Sequence, residues 1–160
     1  MKCLDIVIET PKGSALKYSY DPVSHFFELR KILPAGMVFP YDFGFIPGTK
    51  GEDGDPLDII VISEFKSFPG CKMSCRVIGG IKAEQSKKKG KEEMIRNDRF
   101  IAIPDCSSIF EKITSVKDLP DSIMDELEAF FIEYNKLQGK EFKALRKLDA
   151  HEAMDIIQGK

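Results

Sequence analysis

The stretch Glu52-Asp53-Gly54-Asp55-Pro56-Leu57-Asp58-Ile59-Ile60-Val61-Ile62 runs from an acidic cluster straight into an apolar segment. The continuous apolar run from Leu57 to Ile62 predicts a central strand covered on both faces. The acidic part poses a physical problem. Two unit charges about 4 Å apart repel by roughly 4 kcal/mol at an effective dielectric near 20. Such crowding requires either that the side chains splay into water or that something positive sits among them.

Outward from this strand, further short strands are expected. Leu4, Ile6 and Ile8 alternate with polar neighbours and put Glu9 on the other face. In the next segment Leu16, Tyr18 and Tyr20 oppose Lys17 and Ser19. Phe26 to Leu33, Cys75 to Lys82 and Arg99 to Pro104 complete the set. Between the last two, "AEQSKKKGKEEMIRND" (residues 83–98) reads as a solvated hairpin tip around Gly90. The period then changes. Ile123, Leu127, Phe130, Phe131, Tyr134 and Leu137 recur at helical spacing between Pro120 and Gly139. A second short helix is expected from Asp149, with Glu152 placed for a capping box. Strands followed by helices predict a mainly β fold, a closed, OB-like five-stranded barrel with flanking C-terminal helices. Residues 1–160 are expected to form a single domain, since 18.1 kDa suffices for one proper core.

Bulk properties exclude some classes. A net charge of -2 and a pI near 5.8 argue against a generic nucleic-acid binder. No apolar run reaches the ~18 residues of a membrane span. The N-terminus "MKCLDIVIET" has no small-residue cleavage pattern, so a cytoplasmic protein is expected. Cys3, Cys71, Cys75 and Cys106 lack a second pair at zinc spacing, and His25 and His151 lie far from them. They read as reduced thiols, mostly filling core.

The acidic cluster has the marks of preorganisation. Asp53 and Asp55 project to one side of an extended backbone. Gly54 permits unusual backbone angles, and Pro56 biases Asp55 towards extended conformations. Oxygen-rich clusters of this kind suit magnesium. A calcium EF-hand does not fit, because Pro56 and Leu57 occupy ligand positions and Glu64, twelfth from Asp53, lies beyond the apolar run. An acidic turn with solvated side chains remains the plain alternative. Lys17, the Arg30–Lys31 pair, Arg99 and Lys136 flank the same elements and fit phosphate oxygens.

Asp53-Gly54-Asp55-Pro56-Leu57-Asp58 resembles the D-x-D-P-x-D signature of the family I soluble inorganic pyrophosphatases. "VIETPKGSALKY", "VFPYDFGFIPGT" and "FFIEYNKL" resemble further segments of that family, in order, over most of residues 5 to 140. The resemblance implies a barrel of this type and magnesium-dependent hydrolysis of pyrophosphate to two phosphates by a metal-activated water. It implies metal ligation by Asp53, Asp55 and Asp58, with Asp55 as general base. Glu9 acts through metal-bound water, and the nearest matches to two further metal-binding acids are Glu84 and Asp98. Lys17, Lys31, Arg99, Tyr134 and Lys136 take substrate phosphate. A homo-oligomer is implied too, for which Phe65 to Gly70 with Cys71 and Met73 offers apolar surface.

The chain departs from the family pattern at several positions. Ser19 stands where relatives carry Glu, and Lys31 beside Arg30 replaces an Arg. Phe39 and Phe43 replace two tyrosines, and Tyr41 lies between them. Asn135 replaces a Lys, while Gln85 and Asn97 fall at the two further metal positions. Two rivals follow: a catalytically impaired relative, and an OB-type single-stranded nucleic-acid module stacking bases on Phe26, Phe39 or Phe43. The pyrophosphatase reading expects no nucleic-acid partner.

Overall fold

The computed structural model describes residues 2–89 and 93–160. Its strands are β1 (Cys3–Thr10), β2 (Leu16–Asp21), β3 (Phe26–Ile32), β4 (Asp42–Phe45), β5 (Asp58–Val61), β6 (Lys72–Ser86), β7 (Met94–Arg96), β8 (Arg99–Pro104) and β9 (Phe142–Leu148). Helices α1 (Asp121–Lys136) and α2 (Ala150–Ile157) flank β9 in sequence. Strand pairing runs β1–β4–β5–β8–β6 and returns from β6 to β1, a closed ring of five. Closure leaves no ring strand with a free edge. The β2–β3 hairpin stands outside the ring as its own two-stranded sheet. Among the described residues, no helix is long and apolar enough to cross a membrane.

The apolar run behaves as its composition dictates. Side chains of a strand alternate between faces, so β5 feeds two cores. Ile59 and Val61 pack with Ile6, Ile8, Val77 and Phe100, whereas Ile60 and Ile62 pack under α1 with Phe131 and Leu127. Each fully buried isoleucine contributes about 1.5–3 kcal/mol. Gly44 makes the β1–β4 seam possible, because a Cβ there would lie 2.1 Å from the Val7 carbonyl oxygen. α1 starts after Pro120 and buries Met124, Leu127, Phe131 and Tyr134 at helical spacing. Asp149 and Glu152 form the expected reciprocal cap on α2.

Other expectations need correction. β4 and β9 were not anticipated, and β6 extends beyond Cys75–Lys82 in both directions. The Lys-rich excursion is only partly solvated: Met94–Arg96 pairs with β6, and Ser86 and Asp98 are buried. The tip around Gly90 lies outside the described residues. All four cysteines are free thiols, but Cys75 alone is fully buried. Phe39 and Phe43 sit in the core, which removes two of the three rings offered for base stacking.

Candidate active site

The acidic loop, the end of β1, the β2–β3 hairpin, the start of β8 and the α1 face enclose a cleft of about 710 Å³. One wall is acidic. Gly54, at a φ of +89°, lets the loop double back, and the Gly51 N–H donates to the Asp55 carbonyl at 2.7 Å. The Asp55 N–H in turn donates to Asp53 Oδ1 at 3.0 Å. Thr49 Oγ1 accepts from the Leu57 N–H at 2.9 Å and ties this loop to the one before it. Asp58 is the first residue of β5, and the parallel register that pairs Ile59 with Phe100 sets it beside Arg99. Its Oδ2 meets Arg99 Nη1 at 2.9 Å. Burial raises the Asp58 carboxyl above its ordinary range, against the opposing pull of Arg99 and Lys17. Glu9 faces the same cleft from β1 and accepts the Tyr20 N–H at 2.7 Å. Burial pushes its pKa up to about 7, with Asp58 and Asp55 adding to the effect.

A second wall of the cleft is basic and meets the acidic one at the Arg99–Asp58 pair. Lys17 and Lys31 are direct cross-strand partners in the β2–β3 hairpin. Like charges placed opposite one another destabilise a sheet. Both ammonium groups rest against the Tyr134 ring, at 5.6 Å for Lys17 and 5.7 Å for Lys31, an arrangement that recovers some cation–π energy. Lys31 Nζ also donates to Gln138 Oε1. Burial, then Lys17 and Lys140, brings the Lys31 pKa down to about 8. Arg99, only 4% exposed, lies between the Phe131 and Phe142 rings. Its Nη1 donates to Asn97 Oδ1 at 2.6 Å and its Nη2 to Gln85 Oε1 at 2.9 Å. Arg99 Nε and the Tyr134 hydroxyl are buried without a hydrogen-bond partner among the described residues.

Glu9, Lys17, Lys31, Asp53, Asp55, Asp58, Arg99 and Tyr134 therefore share one cleft, as do Ser19, Gln85 and Asn97. Three expected residues do not. Glu84 and Asp98 lie outside the lining, because strand alternation gives the cleft to their neighbours Gln85, Asn97 and Arg99. Asp98 instead accepts the Ala83 N–H at 3.0 Å and pairs with Arg96 at 2.8 Å. Lys136 points to solvent from α1, 3.9 Å from Glu133. Asn135 does reach the cleft, but its amide donates to the Phe131 carbonyl at 2.8 Å. Tyr41 does not replace the two tyrosine hydroxyls, since it lies outside the lining with Lys12 over its ring. Lys140 and Gln138 went unrecognised in the sequence; the chain reversal at Gly139, with φ +70°, is the feature that marks them.

The aspartates share a wall without forming one ligand set. Among the described residues, no three His, Cys, Asp or Glu side chains are gathered closely enough to hold a metal ion. Asp58 is paired with Arg99, and Asp53 accepts the Asp55 backbone N–H. The donor chemistry still fits a hard divalent cation, since four carboxylates and no nitrogen or sulfur ligand line this wall.

A profile described as "Inorganic pyrophosphatase" matches residues 6–160. The inorganic pyrophosphatase of Halalkalibacterium halodurans is 35% identical over 156 residues, covering 98% of this chain and 91% of the relative. That of Leifsonia xyli is 36% identical over 159 residues, covering 99% and 93%. The crystal structure of the Thermus thermophilus inorganic pyrophosphatase superposes with a TM-score of 0.90 at 32% identity, covering 98% of this chain and 88% of that one. The profile match over nearly the whole chain and these relatives, on a fold that carries a cleft lined by acidic and basic groups, place this chain in the family I inorganic pyrophosphatases.

Proposed function

We propose that the chain hydrolyses inorganic pyrophosphate with magnesium, by direct attack of water on phosphorus. The observation that carries this reading is the cross-strand Lys17–Lys31 pair, which lines the same cleft as the acidic loop. Two adjacent ammonium groups repel unless an anion lies between them, and pyrophosphate carries several negative charges. Enzymes of this family depend on metal. Asp53, Asp55 and Asp58 would hold magnesium here, supplying charge against the phosphates and activation of water.

The chain's own groups do the rest. Asp55 takes the proton of the attacking water. Lys17 and Lys31 hold the leaving phosphate and offset its growing charge, and Tyr134 offers its unpaired hydroxyl. Arg99, locked by Asn97, Gln85 and two aromatic rings, contributes a fixed cation that loses little entropy on binding. Glu9 is a positioning residue for water at the acidic wall. The exposed Phe65 and Phe68 suit a contact between copies of this chain in a homo-oligomer. Phosphate release from pyrophosphate by the purified protein, with magnesium and with chelator, tests the reading. Release that needs the metal and disappears in Asp55→Asn supports it; full activity in Asp55→Asn rejects Asp55 as the base.

A further inference from the structure

A second cavity, of about 150 Å³, opens beside the cleft between the end of β3 and the end of α1. Ile32, Leu33, Pro34, Met37 and Leu137 form its apolar walls. Its remaining walls are Lys31, Tyr134 and Gln138, and all three also line the cleft. The two spaces thus share a partition made of the Lys31–Gln138 hydrogen bond and the Tyr134 ring. Around the mouth the chain leaves large apolar side chains in water: Ile32 is 74% exposed and Leu137 57%. An apolar cavity of about this volume admits a benzene-sized group in other proteins. Pyrophosphate has no apolar part, so the reaction makes no use of these walls.

We propose that this cavity receives the apolar group of an organic phosphate monoester whose phosphate is held in the cleft by Lys31, its ammonium exchanging Gln138 for a phosphate oxygen so that the ester oxygen passes from one space to the other. The site is amphipathic in the required order. The Lys31 cation stands at the partition, with the side chains of Ile32, Leu33, Pro34, Met37 and Leu137 beyond it. Such a ligand occupies the same phosphate position as the reaction product and competes with pyrophosphate. A group of benzene size fits the volume, whereas a methyl group is too small to reach the Met37 and Leu137 walls. The proposal rests on the reading of the cleft as a phosphate site.

The test is competitive inhibition of pyrophosphate hydrolysis by the metal-loaded protein, with orthophosphate, methyl phosphate and phenyl phosphate as probes. Phenyl phosphate is expected to inhibit about tenfold more tightly than methyl phosphate or orthophosphate, a gain of ~1.4 kcal/mol. Leu137→Trp and, from the facing wall, Ile32→Trp fill the mouth at exposed positions. Either is expected to abolish the phenyl advantage and leave orthophosphate inhibition and turnover unchanged. Phenyl phosphate no tighter than methyl phosphate, with orthophosphate still competitive, overturns the cavity proposal alone. A phenyl advantage that survives both substitutions overturns it as well. Failure of orthophosphate to compete removes the phosphate reading of the cleft, and this proposal with it.

Discussion

The two walls of the cleft are built on different principles. The acidic wall is local: three of its four carboxylates come from six consecutive residues, and backbone hydrogen bonds within that loop hold it. The basic wall is assembled from distant parts of the chain, β2, β3, β8 and the turn after α1, and aromatic packing holds it. Asp53 and Asp55 sit on an exposed loop, whereas Glu9 and Asp58 are held on strands and Arg99 is fixed on all sides. In the proposed function the exposed carboxylates turn towards incoming cations, while the rigidly held Arg99 of the basic wall fixes where phosphate lies. Substitutions on the first wall are therefore expected to affect chemistry and metal affinity, and those on the second to affect substrate affinity.

Asp55→Asn gives the largest effect. Losing the proposed general base is expected to lower kcat by about 10²–10⁴-fold, and the fold should be untouched, since no other side chain depends on the Asp55 carboxylate among the hydrogen bonds of the described residues. Steady-state kinetics and a thermal melt decide this together; a large fall in Tm would make the residue structural. Next is Arg99→Met, which removes the partner of Asp58. Hydrogen bonds to charged groups are worth about 1.5–3 kcal/mol, so kcat/KM should fall by ~10–100-fold. Arg99→Lys should recover only part, because an ammonium cannot reach Asn97, Gln85 and Asp58 as a fork does. Full recovery would contradict the rigid-wall account.

The Lys31 pKa of about 8 makes a finer test. The ammonium form binds anions and is lost as pH rises through that value, so kcat/KM should decline above pH ~8, by about tenfold if the contact is worth ~1.4 kcal/mol. Lys31→Arg stays charged throughout and should flatten the decline. An unchanged profile in that variant would assign the titration elsewhere. Tyr134→Phe is the smallest effect. Its hydroxyl has no partner to lose, so stability should hold or rise slightly, while KM rises about 2–10-fold. Unaltered KM would leave the hydroxyl without a role.

The same contrast explains what was legible in the sequence. Asp53, Asp55 and Asp58 could be read together because they are neighbours, and the strand after them because its residues are buried on both faces. Lys17, Lys31 and Arg99 could be grouped only as cations flanking the expected strands, and Tyr134 only through family resemblance, since no local pattern links them. Lys140 was missed for the same reason. β4 has four residues with a glycine among them, too few to show a period. β9, Phe-Lys-Ala-Leu-Arg-Lys-Leu, is rich in helix formers and becomes a strand by pairing with β6, a case of tertiary context overriding propensity. Glu84 and Asp98 failed for a simpler reason: a one-residue step along a strand moves a side chain to the other face.

The central claim is that the aspartates of the acidic wall close around divalent cations. Calorimetric titration of magnesium into the wild-type protein and into the Asp53→Asn, Asp55→Asn, Asp58→Asn triple variant tests it most directly. Saturable binding that weakens at least ~100-fold in the variant is the predicted result, each lost charge contributing about tenfold or less. Equal magnesium affinity in the two proteins would contradict the account.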